Sequence, residues 1–163
     1  MRALFFLLAT AHLAQADPVL EKVLAHVRAH PTGSAPFSLD LTAAAQDTSS
    51  LPIGVFDSGI GGLTVLDEIL KIDAFHNDTL APGPDGQPDF ADERFIYFGD
   101  QANMPYGNYS AEDNLPYLRE LILKDALFLL GRRHDSADPA SPAPKPKPSV
   151  KALVIACNTA TAY

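Results

Sequence analysis

The 163 residues predict an α/β fold, a doubly wound parallel sheet in which helices connect the strands. Three observations carry that expectation. Three short apolar runs (Ile53-Gly54-Val55-Phe56, Arg94 to Phe98, and Val150 to Ile155) are each followed by a turn of small and polar residues. Two stretches with helical periodicity lie between them. The order is therefore β-α-β-α-β, and such units join parallel strands through right-handed crossovers.

The first 16 residues read as a signal peptide. Met1-Arg2 gives a positive start, Ala3 to Leu13 is almost wholly apolar, and Ala14-Gln15-Ala16 fits a small-x-small cleavage site. Cleavage there leaves Asp17 first and predicts export, to the periplasm or beyond. Residues 17–50 form an N-terminal helix and a linker. Leu20, Val23, Leu24 and Val27 make one helical face, and Pro31-Thr32-Gly33 ends it. Residues 51–163 make the α/β body.

Within that body, Leu63 to Ile72 continues the first strand's turn as a helix, with Leu63, Leu66 and Leu70 on one side. The second helix spans Ser110 to Arg132. Ser110 and Asp113 resemble a capping box, while Pro116 permits a start at Asn114 instead. Its apolar stripe is Leu115, Leu118, Ile122, Ala126 and Leu129. The last strand, Ala152 to Ile155, reads as buried on both faces at the centre of the sheet. Two inserts interrupt the rhythm. Residues 73–93 are acidic and turn-rich, and residues 134–149 alternate proline with small or charged residues. The second insert reads as a semi-rigid extended linker, and Lys145 and Lys147 in its proline run read as linker charges.

Composition excludes several function classes. Twelve Lys and Arg against 20 Asp and Glu give a net charge of −8, with no basic stripe for nucleic acid or an anionic membrane. No apolar stretch reaches the roughly 18 residues that a bilayer-spanning helix needs. A single cysteine permits no intrachain disulfide. His26, His30, His76 and His134 lack metal spacing and read as surface or linker residues, and the acidic insert lacks the spacing of an EF-hand loop. No metal is expected.

Turns that follow neighbouring strands meet at one edge of a doubly wound sheet. Here they carry Asp57-Ser58-Gly59, Asn103-Met104-Pro105-Tyr106-Gly107 and Cys157-Asn158-Thr159. Short polar side chains and backbone amides gathered there suit a small substrate with carboxylate and ammonium groups. The amides of Gly59 to Gly62, with Ser58 and Thr159, suit the carboxylate, and Asp57 suits the ammonium. Each feature alone has a plainer reading. Asp57 fits a helix cap, Pro105-Tyr106-Gly107 a simple turn, and Cys157 a small buried hydrophobe. The glycines form neither a P-loop nor a dinucleotide fingerprint. A cysteine at a strand-to-helix junction also gains thiolate character from the helix dipole.

Taken together, the three turns resemble the glutamate racemases of the aspartate/glutamate racemase family. Residues Ile53 to Leu66 are similar to their N-terminal motif. Tyr97-Phe98-Gly99-Asp100 with Pro105-Tyr106-Gly107 resembles the second, and Val154-Ile155-Ala156-Cys157-Asn158-Thr159-Ala160 the first catalytic-cysteine motif. The resemblance covers Pro52 to Tyr163 apart from the two inserts. It implies cofactor-independent interconversion of L- and D-glutamate, the D-isomer supplying peptidoglycan. In that family one thiolate removes the α-proton and a second thiol, on the opposite face, returns one. Carried over by motif, Cys157 and Asp57 are catalytic, and Asp57, Ser58, Tyr106, Gly107, Asn158 and Thr159 contact the substrate. The resemblance leaves a homo-oligomer open and implies a cytoplasmic enzyme, against the export signal.

The chain departs from the family pattern in two places. Gln101 stands where a threonine is usual, and the 163 residues hold no Cys-Thr-His motif and no second cysteine. They are therefore expected to be a leading half, inactive alone. Two other readings remain: a non-catalytic module that binds an acidic amino acid, and a racemase that prefers aspartate.

Overall fold

The computed structural model of the protein describes residues 17–41, 47–111 and 114–163. The signal-peptide segment and Asp113 of the capping pattern lie outside the described residues. In chain order the elements are α1 (Pro18–Ala29), β1 (Ile53–Asp57), α2 (Leu63–Ile69), β2 (Phe95–Gly99), α3 (Gly107–Ala111), α4 (Leu115–Leu130), β3 (Arg133–His134), β4 (Lys145–Pro146), β5 (Ala152–Ile155) and α5 (Asn158–Ala162). The three predicted strands form one parallel sheet in the order β2-β1-β5.

Strand β1 is the central one, and all five of its residues are buried. Ile53 pairs with Phe95 on one side and Ala152 on the other, and Asp57 lies opposite Gly99. The chain leaves β1 towards one neighbour and later returns on its other side, and in sheets of this topology ligands bind beyond the carboxyl ends of the strands at that reversal, here β1 and β5. Strand β5 is an edge strand. Ala152 and Ile155 are exposed, which corrects the expectation that this run is buried on both faces at the sheet's centre. Its apolar sequence reflects packing of Leu153 on the core and not a central position.

The core lies between the sheet and α4. Phe56, Tyr106, Leu118, Leu121, Leu129, Val150, Cys157 and Ala160 form one buried cluster, and Phe98 stacks on Phe128 at 4.9 Å. The predicted second helix is two helices. Asn114 stands at the N-cap position of α4 without a side-chain capping bond, and Pro116 sits in its first turn, where proline's missing N–H costs no hydrogen bond. The buried set of α4 contains Leu118 and Leu129 as expected, adds Leu121 and Leu127, and includes one acid, Asp125. Helix α2 has no buried residue, and Leu63, Val65 and Leu70 are exposed. Helix α1 packs on α4. Asp17 caps α1 through Val19 N–H at 2.8 Å and also accepts from Arg119 at 2.6 Å.

Both inserts are folded. In residues 73–93, three aspartates act as turn clamps. Asp73 accepts from the amides of Asp85 and Gly86, Asp85 from Asn77 and Gln87, and Asp89 from Ala74 and Phe75. The second insert folds back on itself, with β3 and β4 antiparallel, which corrects the extended-linker expectation. Lys147 is the physical reason. Its ammonium donates to the carbonyls of Leu129, Gly131 and Pro148 at 3.3, 2.6 and 3.0 Å and stands 4.9 Å from the Phe128 ring centre. It thereby serves carbonyls left unpaired where α4 ends.

Lys147→Met keeps the stem and removes the donors. It is expected to lower the unfolding free energy by about 1 kcal/mol, read from a urea melt. Gly99→Ala should cost more, about 3 kcal/mol, because the added methyl would sit 2.3 Å from the Gly59 carbonyl oxygen.

Candidate active site

The glycine-rich turn after β1 is built around Asp57. This residue is 6% exposed, and its Oδ2 accepts the Gly62 amide at 2.8 Å, so the side chain folds back on the turn that starts α2. The close fit explains the glycine at position 62. A methyl there would stand 2.8 Å from the Asp57 Cβ and 2.9 Å from the Ala156 Cβ. The Gly62 amide, one of four assigned to a carboxylate from sequence, therefore serves Asp57.

The β5 turn arrives beside it. The Ala156 amide donates to the Phe56 carbonyl at 2.7 Å, which continues the parallel ladder past the end of the strand. The next residue, Cys157, is 4% exposed. Its thiol donates to Ser58 Oγ at 3.3 Å, and its sulfur accepts the Ala160 amide at 3.4 Å, as the N-cap of α5. Asn158 and Thr159 follow in the first turn of α5, Asn158 exposed and Thr159 half-buried.

The β2 turn closes the third side. The Asp100 amide donates to the Asp57 carbonyl at 2.9 Å, and the Met104 sulfur lies over Gly59, 3.1 Å from where a Cβ would be. Gly107 opens onto free space. Tyr106 does not face the site with its ring. That side chain is 1% exposed, packs 6.2 Å from the Phe56 ring and 6.1 Å from that of Tyr109, and points its hydroxyl at Asp100 and Asp125.

Tyr97 belongs to this site and was not singled out in the sequence. Its hydroxyl reaches the Gly59 carbonyl at 3.0 Å and Asp57 Oδ2 at 3.3 Å. Burial, together with the Asp57 charge and its hydrogen bond, pushes the phenol up to about 12. It therefore stays a donor throughout the neutral range. The signal was present in strand periodicity. Tyr97 stands two residues before Gly99 on β2, and Gly99 lies opposite Asp57. The site thus unites Asp57, Ser58, Tyr97 and Cys157, with Asn158 and Thr159 next to the thiol in the first turn of α5, while Gly107 has no contact with these groups among the described interactions. Chemically it offers one thiol, one carboxyl, the hydroxyls of Ser58 and Tyr97 and a turn of small residues at one end of the sheet. Tyr97→Phe removes a donor shared by two acceptors and is expected to lower the unfolding free energy by about 1 kcal/mol in a denaturant melt.

No family profile and no solved structure matches this chain. Curated proteins do. It is 36% identical over 115 residues to the glutamate racemase of Clostridium novyi (strain NT), which is 71% of this chain and 30% of that protein. Against that of Carboxydothermus hydrogenoformans it is 38% identical over 118 residues, again 71% and 30%. Against that of Halothermothrix orenii it is 37% identical over 109 residues, 67% and 28%. The chain thus spans about 30% of the length of the curated relatives it matches. Over about 70% of its own length, this α/β chain is a homologue of the glutamate racemases.

Proposed function

We propose that the site binds glutamate and that Cys157 moves the α-proton on one face of it, as part of a cofactor-independent racemase activity. The observation that carries this reading is the Cys157 thiol standing 3.3 Å from Ser58 Oγ, beside the turn that holds Asp57. Inversion needs a base and an acid on opposite sides of one carbon. As a thiolate, Cys157 takes the α-proton, and the electron pair left behind spreads into the substrate carboxylate. Donors at that carboxylate, from Ser58, Asn158 and Thr159, stabilise the charge that builds there. Asp57 faces the ammonium. Tyr106 and Gly107 contribute backbone, since the Tyr106 ring is committed to the core. In a cell the product is D-glutamate for peptidoglycan, and the leading signal peptide directs the protein out of the cytoplasm.

The 163 residues contain one cysteine, which serves one face of the substrate. With L-glutamate in D2O, the purified chain, inactive as a racemase on its own, is still expected to perform the one-sided half-reaction, placing deuterium at the α-position without forming D-glutamate. Cys157→Ala should reduce that exchange by about 10²- to 10⁴-fold, measured by proton NMR. Exchange that survives Cys157→Ala would remove the thiol from the reaction, and unaided racemisation would refute its one-sidedness. A second reading is a non-catalytic module for acidic amino acids. It is favoured by the burial of Cys157 and the engagement of its thiol by Ser58. Calorimetric binding of glutamate with no isotope exchange would select it.

A further inference from the structure

Beneath the site, one phenolic hydroxyl lies between two carboxyl groups. Tyr106 Oη is 2.7 Å from Asp100 Oδ2 and also hydrogen-bonds Asp125 Oδ2. Asp100 is 7% exposed and Asp125 is 8% exposed. The hydroxyl carries one hydrogen and can donate to one of them. A second hydrogen is needed for the other bond, and the one group able to bring it is a protonated carboxyl.

The surroundings decide which acid carries it. Asp100 also accepts from Asn103 Nδ2 on both oxygens, at 3.0 and 2.9 Å, so a carboxylate is well served there. Among the described residues, Tyr106 is the one partner drawn to the Asp125 carboxyl. We propose that Asp125 is a positioning residue held as a neutral acid, which donates to Tyr106 so that the phenol donates to Asp100 and fixes the 100–107 turn. The Asp100 amide ties that turn to the Asp57 carbonyl at the end of β1. The chain of bonds thus runs from the middle of α4 to the end of β1.

Burial raises the Asp125 carboxyl to about 7, and the Asp100 charge adds to that while the Tyr106 bond opposes it. The other charged groups near α4 are engaged elsewhere. Lys124 pairs with Glu120 and Arg119 with Asp17, both at 2.6 Å. From α1, Lys22 and His26 line a groove with Glu120 and Lys124, apart from Asp125. Lys147 is bound to carbonyls at the end of α4. Since the folded group holds its proton to a higher pH than the unfolded one, its stabilisation is complete below pH 4. It is lost as pH rises through about 7.

The test compares the full chain with Asp125→Asn, which keeps a neutral donor at every pH. Between pH 4.5 and 6.5 the unfolding constant of the wild type should rise about hundredfold relative to that of the variant, at most tenfold per pH unit for one proton. Parallel pH profiles would overturn the proposal. Should the variant fail to fold, ¹³C NMR of aspartate-labelled wild type decides. One carboxyl titrating near 7 supports the proposal, and all titrating below 5 refutes it. The link to catalysis rests on the glutamate reading. There, affinity for glutamate should fall above pH 7 in the wild type and hold in Asp125→Asn. A chain that binds no glutamate but shows the stability difference would sink that reading and leave the acid in place.

Discussion

Burial of every residue of β1 is the constraint on which the remainder of this molecule hangs. The backbone N–H and C=O groups of so enclosed a strand need partners on both edges, and β2 and β5 provide them in register. The same arrangement brings three turns within hydrogen-bonding distance of one another. Asp57, the last residue of the strand, is where that sheet becomes a site. Its carboxyl holds the Gly62 amide, its backbone carbonyl holds Asp100, and Tyr97 reaches across from the next strand. Architecture and chemistry are therefore not separable at this edge. A side chain that shapes the site also ends a strand and starts a helix.

Two glycines show how close the packing is. Gly62 and Gly99 have no room for a methyl group, because the Asp57 side chain and the Gly59 carbonyl occupy the space. Gly59 itself carries Met104 at short range. The turns thus pack closely on each other, backbone against backbone at Gly99 and Gly59, and backbone against side chains at Gly62. Polar groups here are held by short, buried side chains and by backbone, each with a fixed partner. Such fixed dipoles are what a reaction that builds charge on a small substrate requires.

Much of this was legible in the residues. Three apolar runs ending in small polar turns gave the parallel sheet, and the position of Cys157 after the last run put the thiol at the right edge. The parts that were not legible depend mostly on partners far away in the chain. Asp125 falls four residues after Leu121 and seven after Leu118, inside a buried face, yet an acid in such a stripe carries no sequence mark of its partner Tyr106. Lys147 looked like a linker charge and instead closes the end of a helix. Tyr106 was given to the substrate, whereas its ring is among the most enclosed side chains of the chain. Edge and centre of the sheet were also exchanged for β5, because apolar content alone does not report strand order.

The hairpin formed by β3 and β4 has a consequence for how this chain tolerates change. Its base is pinned by Lys147 and by the Arg133 guanidinium on the Pro144 carbonyl, whereas residues 135–143 add nothing to the buried core cluster. Chain length in that stretch is nearly free, since closing a longer loop on a fixed base adds little entropy. A reporter peptide or an entire foreign domain grafted at the tip would leave the site undisturbed, making this hairpin a natural attachment point for labelling the protein.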